Sequence, residues 1–343
     1  MSKNRMTGRR SGFVAAITSA VSFSTLGLFA KTLYASGFSV ACALAWRFSI
    51  AAVFLWIMVY VRAQFRRRAA FQRIEAPLNA RPSLSELSRP DSGAFFRVAM
   101  LGLLGFAPQA GLFFVTVRML DPGIASLLLY LYPSFVFLIG FVLKHQKSGR
   151  AQFFALGVSL AGCIITFWKA GSYPVLGLVL GIVVALTYAA YLIVSESVLE
   201  HIDSVWATAV IMSVAAFVYA CIALASGSFK VPASAVQILL VSGIAVVATV
   251  VPIVALFQAM QKIGARNTSI ISTIEPVFTN VFSMVLLGEI LTGQRIVGGV
   301  LILAGVIVID RLGYSPDSTI SATSSIGRSS PISKSPGTDE GKS

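Results

Sequence analysis

The sequence predicts an all-α integral membrane protein, and its composition and apolar pattern support that fold class. The 343 residues are 56% hydrophobic but only 12% charged, about half of the roughly 25% charge of soluble domains. This composition excludes a conventional soluble enzyme. The apolar residues fall into ten stretches close to the ~20 residues that one bilayer crossing needs. These stretches lack the strict alternation of barrel strands, so helices are the predicted spanning elements.

The ten predicted transmembrane helices cover most of the chain. They run over 12–34, 38–61, 94–117, 122–143, 151–168, 174–195, 204–227, 234–260, 267–288 and 293–312. Outside them lie a short amino-terminal stretch, 1–11, and a basic loop, 62–97. The tail, 313–343, is rich in serine and proline and cannot bury a core, so we predict that it is disordered.

Lysine and arginine lie mostly on one side of the predicted membrane. With a cytoplasmic amino terminus, 21 of the 27 basic residues fall in inner segments, and eight of them are arginines in the loop 62–97. Those outside or at outer helix ends are Lys31, Arg118, Lys169, Lys230 and Arg295. The positive-inside rule therefore predicts that both termini are cytoplasmic. The net charge of +14 follows from this topology, and no nucleic-acid partner is expected.

Two alignments of the chain with itself indicate an internal repeat. A shift of 143 residues lays Phe114, Ser126, Pro133 and Gly162 on Phe257, Ser269, Pro276 and Gly305. A shift of 165 residues lays Gly12 on Gly177 and aligns small residues in the first and sixth spans. The two halves, 12–168 and 174–312, then hold five spans each. Because five is odd, the halves enter the membrane from opposite sides, so the sequence predicts two five-helix inverted repeats.

The residues that define the repeat also resemble a known family. The second half holds Ile274-Glu275-Pro276-Val277-Phe278, then Leu287-Gly288-Glu289, Gln294 and Gly298-Gly299. The first half holds Arg47, Ala125-Ser126-Leu127-Leu128-Leu129-Tyr130-Leu131-Tyr132-Pro133, Gly157 and Gly162. Over about residues 12–312 the chain resembles the EamA-type modules of the drug/metabolite transporter superfamily. It departs at Leu143-Lys144-His145-Gln146, where the family often has a glutamate matching Glu289.

The resemblance implies a function and a location. It implies a ten-helix secondary transporter that exports or exchanges a small metabolite by alternating access across a bacterial inner membrane. Within transport, a passive facilitator stays open as the alternative. The expected partners are a small-molecule substrate and membrane lipid, and a homodimer stays open.

Two ionisable residues lie well inside the predicted spans, Arg47 in the second and Glu275 in the ninth. A charge at the bilayer centre costs ~2.5–3.5 kcal/mol on insertion scales, so each is expected to face the bundle interior or an aqueous cavity. Counted from opposite faces of a ~30 Å core, their depths are ~14 Å and ~12 Å, so the two side chains could meet. Two interpretations stay open: substrate or proton handling, and a static ion pair that joins the repeats.

Aromatic and amide side chains at similar depth complete the predicted substrate site. They are Trp46, Gln109, Tyr130, Tyr132, Tyr188, Tyr191 and Asn280. Together with Arg47 and Glu275 they would suit a small zwitterionic or amphipathic metabolite such as an amino acid. Ordinary packing of the aromatic residues stays open as the alternative. Prolines mark two candidate bends in each half: Pro108, Pro133, Pro252 and Pro276.

Other functional classes find little support in the sequence. The three cysteines lie singly in apolar stretches and the chain has two histidines, so no disulfide scaffold, metal site or cofactor is expected. A membrane-embedded lipid enzyme would need a nucleophile and base or a metal cluster. The histidines, His145 and His201, lie instead in predicted inner loops. A receptor or scaffold would not require an inverted repeat.

Overall fold

The computed structural model describes residues 2–74, 92–144, 150–167, 173–199 and 202–313. Several predicted features lie outside the described residues: the middle of the basic loop, 75–91, the tail, 314–343, and both histidines, His145 and His201. All regular elements in the described ranges are helical. This confirms the predicted all-α class.

The described residues form fourteen α-helices and two π-helical segments. The α-helices are α1 (Ser2–Ser24), α2 (Leu26–Ala35), α3 (Val40–Ile74), α4 (Ser92–Met100), α5 (Ala107–Met119), α6 (Pro122–Leu129), α7 (Tyr132–Lys144), α8 (Arg150–Phe167), α9 (Val175–Leu199), α10 (Ser204–Ala225), α11 (Ala235–Ala245), α12 (Val251–Ser272), α13 (Glu275–Leu287) and α14 (Gly293–Gly313). The π-helical segments are Leu101–Phe106, between α4 and α5, and Val246–Val250, between α11 and α12.

Seven stretches of the described chain are long and apolar enough to cross a membrane. They are Arg10–Ala35, Val40–Phe65, Ser92–Met119, Pro122–Ile139, Val175–Leu199, Ser204–Ala225 and Ala235–Ala259. Three shorter helices are also apolar: Phe153–Thr166, Glu275–Leu287 and Gly293–Val308. The chain therefore has the helices of a multi-pass membrane protein.

The first predicted span, 12–34, lies within the apolar stretch Arg10–Ala35, but its helix is interrupted at Thr25, between α1 and α2. The hydroxyl of Ser24 donates a hydrogen bond to the carbonyl of Val21, and that of Thr25 to the carbonyl of Ser22, both at 2.6 Å. Such side chains compete with the backbone for its hydrogen-bonding groups and bend or end helices.

The fourth and ninth predicted spans also contain breaks, and a proline explains both. The breaks lie at Tyr130–Leu131, before α7, and at Thr273–Ile274, before α13. The second residue of the following helix is Pro133 in one case and Pro276 in the other. Proline has no N–H to donate to the carbonyl four residues earlier, which for the second break is the carbonyl of Ser272.

The helix α12 continues past the end of the eighth predicted span, 234–260, and into the ninth. Near its end, Ile271 packs against a cluster that contains Ala15, Ala16, Ala259 and Ile263. The predicted ninth span, 267–288, is therefore divided between α12 and α13.

The helices pack in pairs, and glycines allow one pair to approach closely. The pairs are α1 with α12, α3 with α10, α8 with α14, and α6 with α13, while α9 packs on α5 and α7. A Cβ atom added to Gly162 of α8 would lie 2.7 Å from the carbonyl oxygen of Gly298 in α14. Small residues permit such backbone contact where lipid gives helices no hydrophobic reason to associate.

Candidate functional site

Arg47 is buried in α3 and rests between two aromatic rings. Its Cζ atom lies 4.8 Å from the ring centroid of Phe48 and 5.2 Å from that of Phe114, in the range of cation–π contacts. Its Nε donates a hydrogen bond to the hydroxyl of Thr249 at 2.9 Å. Thr249 belongs to the second π-helical segment, and its hydroxyl donates to the carbonyl of Ile244 at 2.8 Å. This π-helical segment therefore orients the acceptor for the guanidinium.

Glu275 is the first residue of α13, directly after the second helix break. Its Oε2 atom lies 2.9 Å from the hydroxyl oxygen of Tyr130, the residue at which α6 ends. The same hydroxyl lies 2.6 Å from the carbonyl oxygen of Ser272, which Pro276 leaves without its helical donor. Tyr130 thus joins the break in one half of the chain to the break in the other.

Six aromatic rings contact one another in sequence between these two sites. Successive ring centroids are 6.0 Å apart for Tyr130 and Tyr132, 4.8 Å for Tyr132 and Tyr188, 6.2 Å for Tyr188 and Tyr191, 5.9 Å for Tyr191 and Phe106, and 5.5 Å for Phe106 and Phe48. These separations lie in the range of aromatic pairs. We call the six residues the aromatic row. The middle tyrosines, 132, 188 and 191, are only partly buried.

The structure does not bring Arg47 and Glu275 together. Arg47 is bound to Thr249 and Glu275 to Tyr130. In the described part of the chain, the ion pairs lie elsewhere. Similar depths in the membrane leave the lateral distance between the two side chains undetermined. A static Arg47–Glu275 pair is therefore absent from this conformation.

The remaining predicted site residues, Gln109, Asn280 and Trp46, lie on three different helices. Gln109 is buried in α5. Asn280, in α13, donates through Nδ2 to the carbonyl of Pro276 at 2.8 Å, and its buried Oδ1 has no partner among the described residues. Trp46 lies apart from the aromatic row, because its indole N–H donates to the carbonyl of Lys230 at 3.0 Å, between α10 and α11.

Four charged side chains form a cluster that the sequence did not predict. The Nζ of Lys31 lies 3.1 Å from Asp121 and 3.3 Å from Glu289, and Arg295 lies 3.2 Å from Asp121 and 3.4 Å from Glu289. The hydroxyl of Tyr173 donates to Asp121 at 2.5 Å. We call these five residues the charge cluster. It joins α2, the start of α6 and the segment from α13 to α14.

Burial and neighbouring charges shift the pKa values in the charge cluster. Burial raises the pKa of Asp121, but hydrogen bonds from Tyr173 and Lys31 and the charge of Arg295 outweigh it, so the net pKa is lowered. Burial and the charge of Asp121 raise the pKa of Glu289, despite both cations. Burial and the bond to Asp121 raise the pKa of Tyr173 to about 12. Tyr173 is therefore a neutral donor at physiological pH.

Comparison with known proteins places the chain in a family. The model of the EamA-like transporter family matches residues 10–168 and 175–310. The uncharacterized transporter YcbK of Bacillus subtilis is 26% identical over 60% of this chain and 69% of its own length. An uncharacterized transporter of Archaeoglobus fulgidus is 26% identical over 66% of this chain and 78% of its own length.

A solved structure is similar to this protein in fold. One crystal structure superposes with a TM-score of 0.61 at 17% identity, covering 89% of this chain and 100% of that one. The curated relatives are named transporters. The family model matches nearly all of the predicted membrane region. The chain is therefore a multi-pass membrane protein that belongs to the EamA-like transporter family.

Proposed function

We propose that this protein is a secondary carrier that moves a small zwitterionic or amphipathic metabolite, such as an amino acid, by alternating access. The aromatic row with Arg47 and Glu275 at its two ends is the observation that carries the proposal. The guanidinium would hold a substrate carboxylate through charge-assisted hydrogen bonds. The partly buried tyrosines offer the substrate an apolar surface, and Glu275 would take an ammonium group or a proton.

The proposed architecture is ten transmembrane helices in two inverted five-helix repeats, 12–168 and 174–312. Three features support it. First, α7 and α13 begin and end 143 residues apart, at 132 and 275 and at 144 and 287. Second, each π-helical segment is followed within two residues by a proline, Pro108 or Pro252. Third, each segment packs on the other half: the first on α9 and α10, the second on α1, α2 and α3.

With both termini in the cytoplasm of a bacterial cell, the charge cluster would lie at the outer end of the bundle. It joins α2 and α6 from the first half to α13 and α14 from the second. The present conformation would then be closed towards the outside. Arg295 and Glu289 are almost fully buried there, whereas Lys31 and Asp121 are partly exposed. Opening would separate these contacts, and export would follow the outward-open state.

Growth across a panel of metabolites and toxic analogues tests the proposed substrate class. A strain that overproduces the protein is expected to tolerate a toxic amino-acid analogue that inhibits the deletion strain. Overproduction of Arg47→Ala at the same level is the matched control and is expected to leave the deletion strain sensitive. Equal growth of all strains on every amino-acid analogue, with resistance confined to another solute class, would overturn the amino-acid assignment.

A further inference from the structure

We propose that Tyr130 is a positioning residue that couples a proton on Glu275 to the conformation of the break between α12 and α13. This inference rests on the carrier function proposed above. It is carried by two short contacts that link three oxygen atoms, together with the number of protons that these atoms can share. These atoms are the hydroxyl oxygen of Tyr130, the carbonyl oxygen of Ser272 and Oε2 of Glu275.

The three atoms are hydrogen-bonded completely only when Glu275 carries a proton. A carbonyl can only accept, and a tyrosine hydroxyl supplies one proton. The contact of 2.6 Å between Tyr130 and Ser272 uses that proton. The contact of 2.9 Å between Tyr130 and Glu275 then needs a second proton, which the carboxylic acid donates to the hydroxyl oxygen. The present conformation is therefore the proton-loaded one.

Loss of the proton sets Ser272 and Glu275 in competition for one donor. A carboxylate can only accept, and a hydrogen bond to it is roughly twice as strong as a bond to a neutral carbonyl. The hydroxyl of Tyr130 therefore turns to Glu275. The carbonyl of Ser272 is left unpaired, because Pro276 has no N–H to replace the lost donor. Deprotonation of Glu275 thus destabilises the present conformation of the break between α12 and α13, and protonation stabilises that conformation again.

Few other titratable groups face Glu275 in the described chain. Tyr130 contacts Glu275 directly, and Tyr132 packs between Tyr130 and Tyr188 of α9. Helix α1 also packs on α13, and its residues from 11 to 24 contain no titratable side chain. Lys31 of α2 is bound in the charge cluster instead. Glu275 itself is only partly buried.

Infrared spectroscopy of the purified full-length protein, without substrate, tests this assignment. At neutral pH the wild type is expected to show a carboxylic-acid carbonyl band that Glu275→Gln removes. Tyr130→Phe is expected to shift this band, since the acid then loses its acceptor. The matched control is Tyr219→Phe, which removes another tyrosine–carbonyl bond, to Ala107 at 2.5 Å, and is expected to leave the band in place.

A second variant keeps the proposal falsifiable if Tyr130→Phe does not fold. In Pro276→Ala, residue 276 regains an N–H for the carbonyl of Ser272, so Tyr130 is released and the band of Glu275 is expected to shift. Absence of an acid band in the wild type, or a band unchanged in the folded variants, would overturn the role of Tyr130. These outcomes are separate from transport. A protein with the band but without flux would contradict the carrier instead.

Discussion

Arg47 and Glu275 lie at opposite ends of the aromatic row, and each is bound to a hydroxyl rather than to the other. Arg47 donates to Thr249 at 2.9 Å, and Glu275 lies 2.9 Å from Tyr130. Both hydroxyls sit where a helix is irregular, Thr249 in a π-helical segment and Tyr130 at a break. Such irregular turns occur frequently at functional sites. The two side chains are thus bound at the same irregularities that would let the helices bend.

Replacement of Arg47 by alanine is expected to lower transport at least about tenfold, because a hydrogen bond to a charged group contributes ~1.5–3 kcal/mol. Arg47→Lys should restore only part of the activity, since lysine lacks the planar fork that binds a carboxylate through two bonds. Uptake of a radiolabelled amino-acid mixture into proteoliposomes measures both. Uptake by Arg47→Ala at the wild-type rate would show that Arg47 is not part of the substrate site.

Loss of a charge from the charge cluster is expected to open the outer end of the bundle. The probe is Ser126→Cys in a background without native cysteines, because Ser126 is buried in α6 about 7.5 Å along the helix from Asp121. Asp121→Ala should speed its modification by a membrane-impermeant maleimide added from outside. The control is Lys230→Ala, which removes a lysine that is predicted to lie on the same side of the membrane but outside the charge cluster. Equal rates in all three proteins would contradict the assignment of the cluster as the outer closure.

Mild acidification is expected to strengthen this closure through Glu289. Because burial and Asp121 raise its pKa in the closed cluster, the closed state holds this proton more tightly than an open state with a solvated carboxyl. Its contribution is present at low pH and lost as the pH rises through the raised pKa. The pKa of Asp121 is lowered in the closed cluster, so its carboxylate stabilises the closed state. That stabilisation is lost only as the pH falls below the ordinary pKa of about 3.9.

Labelling of Ser126→Cys should therefore slow as the outer pH falls from neutrality towards about 5, where Asp121 stays ionised. The rate is normalised to that of the exposed position Ser226→Cys, which corrects for the pH dependence of the reagent. Glu289→Gln should remove the effect. A normalised rate that rises on acidification would show that the sign is wrong.

The contact between α8 and α14 is expected to be intolerant of larger side chains. Gly162→Val places a side chain against the backbone of α14, and overpacking of this kind costs typically ~1–3 kcal/mol. The fall in thermal unfolding temperature in detergent measures the loss. Gly157→Ala in the same helix is the control, because nothing lies within 4 Å of its added Cβ. A stable Gly162→Val protein would show that this approach of the two backbones is not required.

The apolar runs predicted the helices because hydropathy reports directly on length and burial in a membrane. The prolines also predicted where helices bend, since Pro133 and Pro276 remove specific hydrogen bonds. The sequence could not predict that Tyr130 is the partner of the freed carbonyl of Ser272, because the two residues are 142 positions apart in the chain. The break at Thr25 depends on side-chain rotamers of Ser24 and Thr25, for which no pattern in the sequence is specific.

The charge cluster could not be predicted for a related reason. The chain separation between its partners ranges from 6 residues, for Glu289 and Arg295, to 258, for Lys31 and Glu289. Two acidic and two basic residues near the ends of predicted spans were the available signal. The positive-inside rule uses Lys31 and Arg295 only to predict orientation, and acidic residues carry little weight in it.

Flux under an imposed pH gradient shows whether transport is coupled to a proton on Glu275. Proteoliposomes at zero membrane potential would be supplied with a radiolabelled amino-acid mixture. We expect net flux through the wild type to respond to the gradient. Glu275→Gln should lose that response while retaining exchange of substrate on the two sides. A wild-type flux that ignores the gradient would contradict the coupled carrier and favour a passive facilitator.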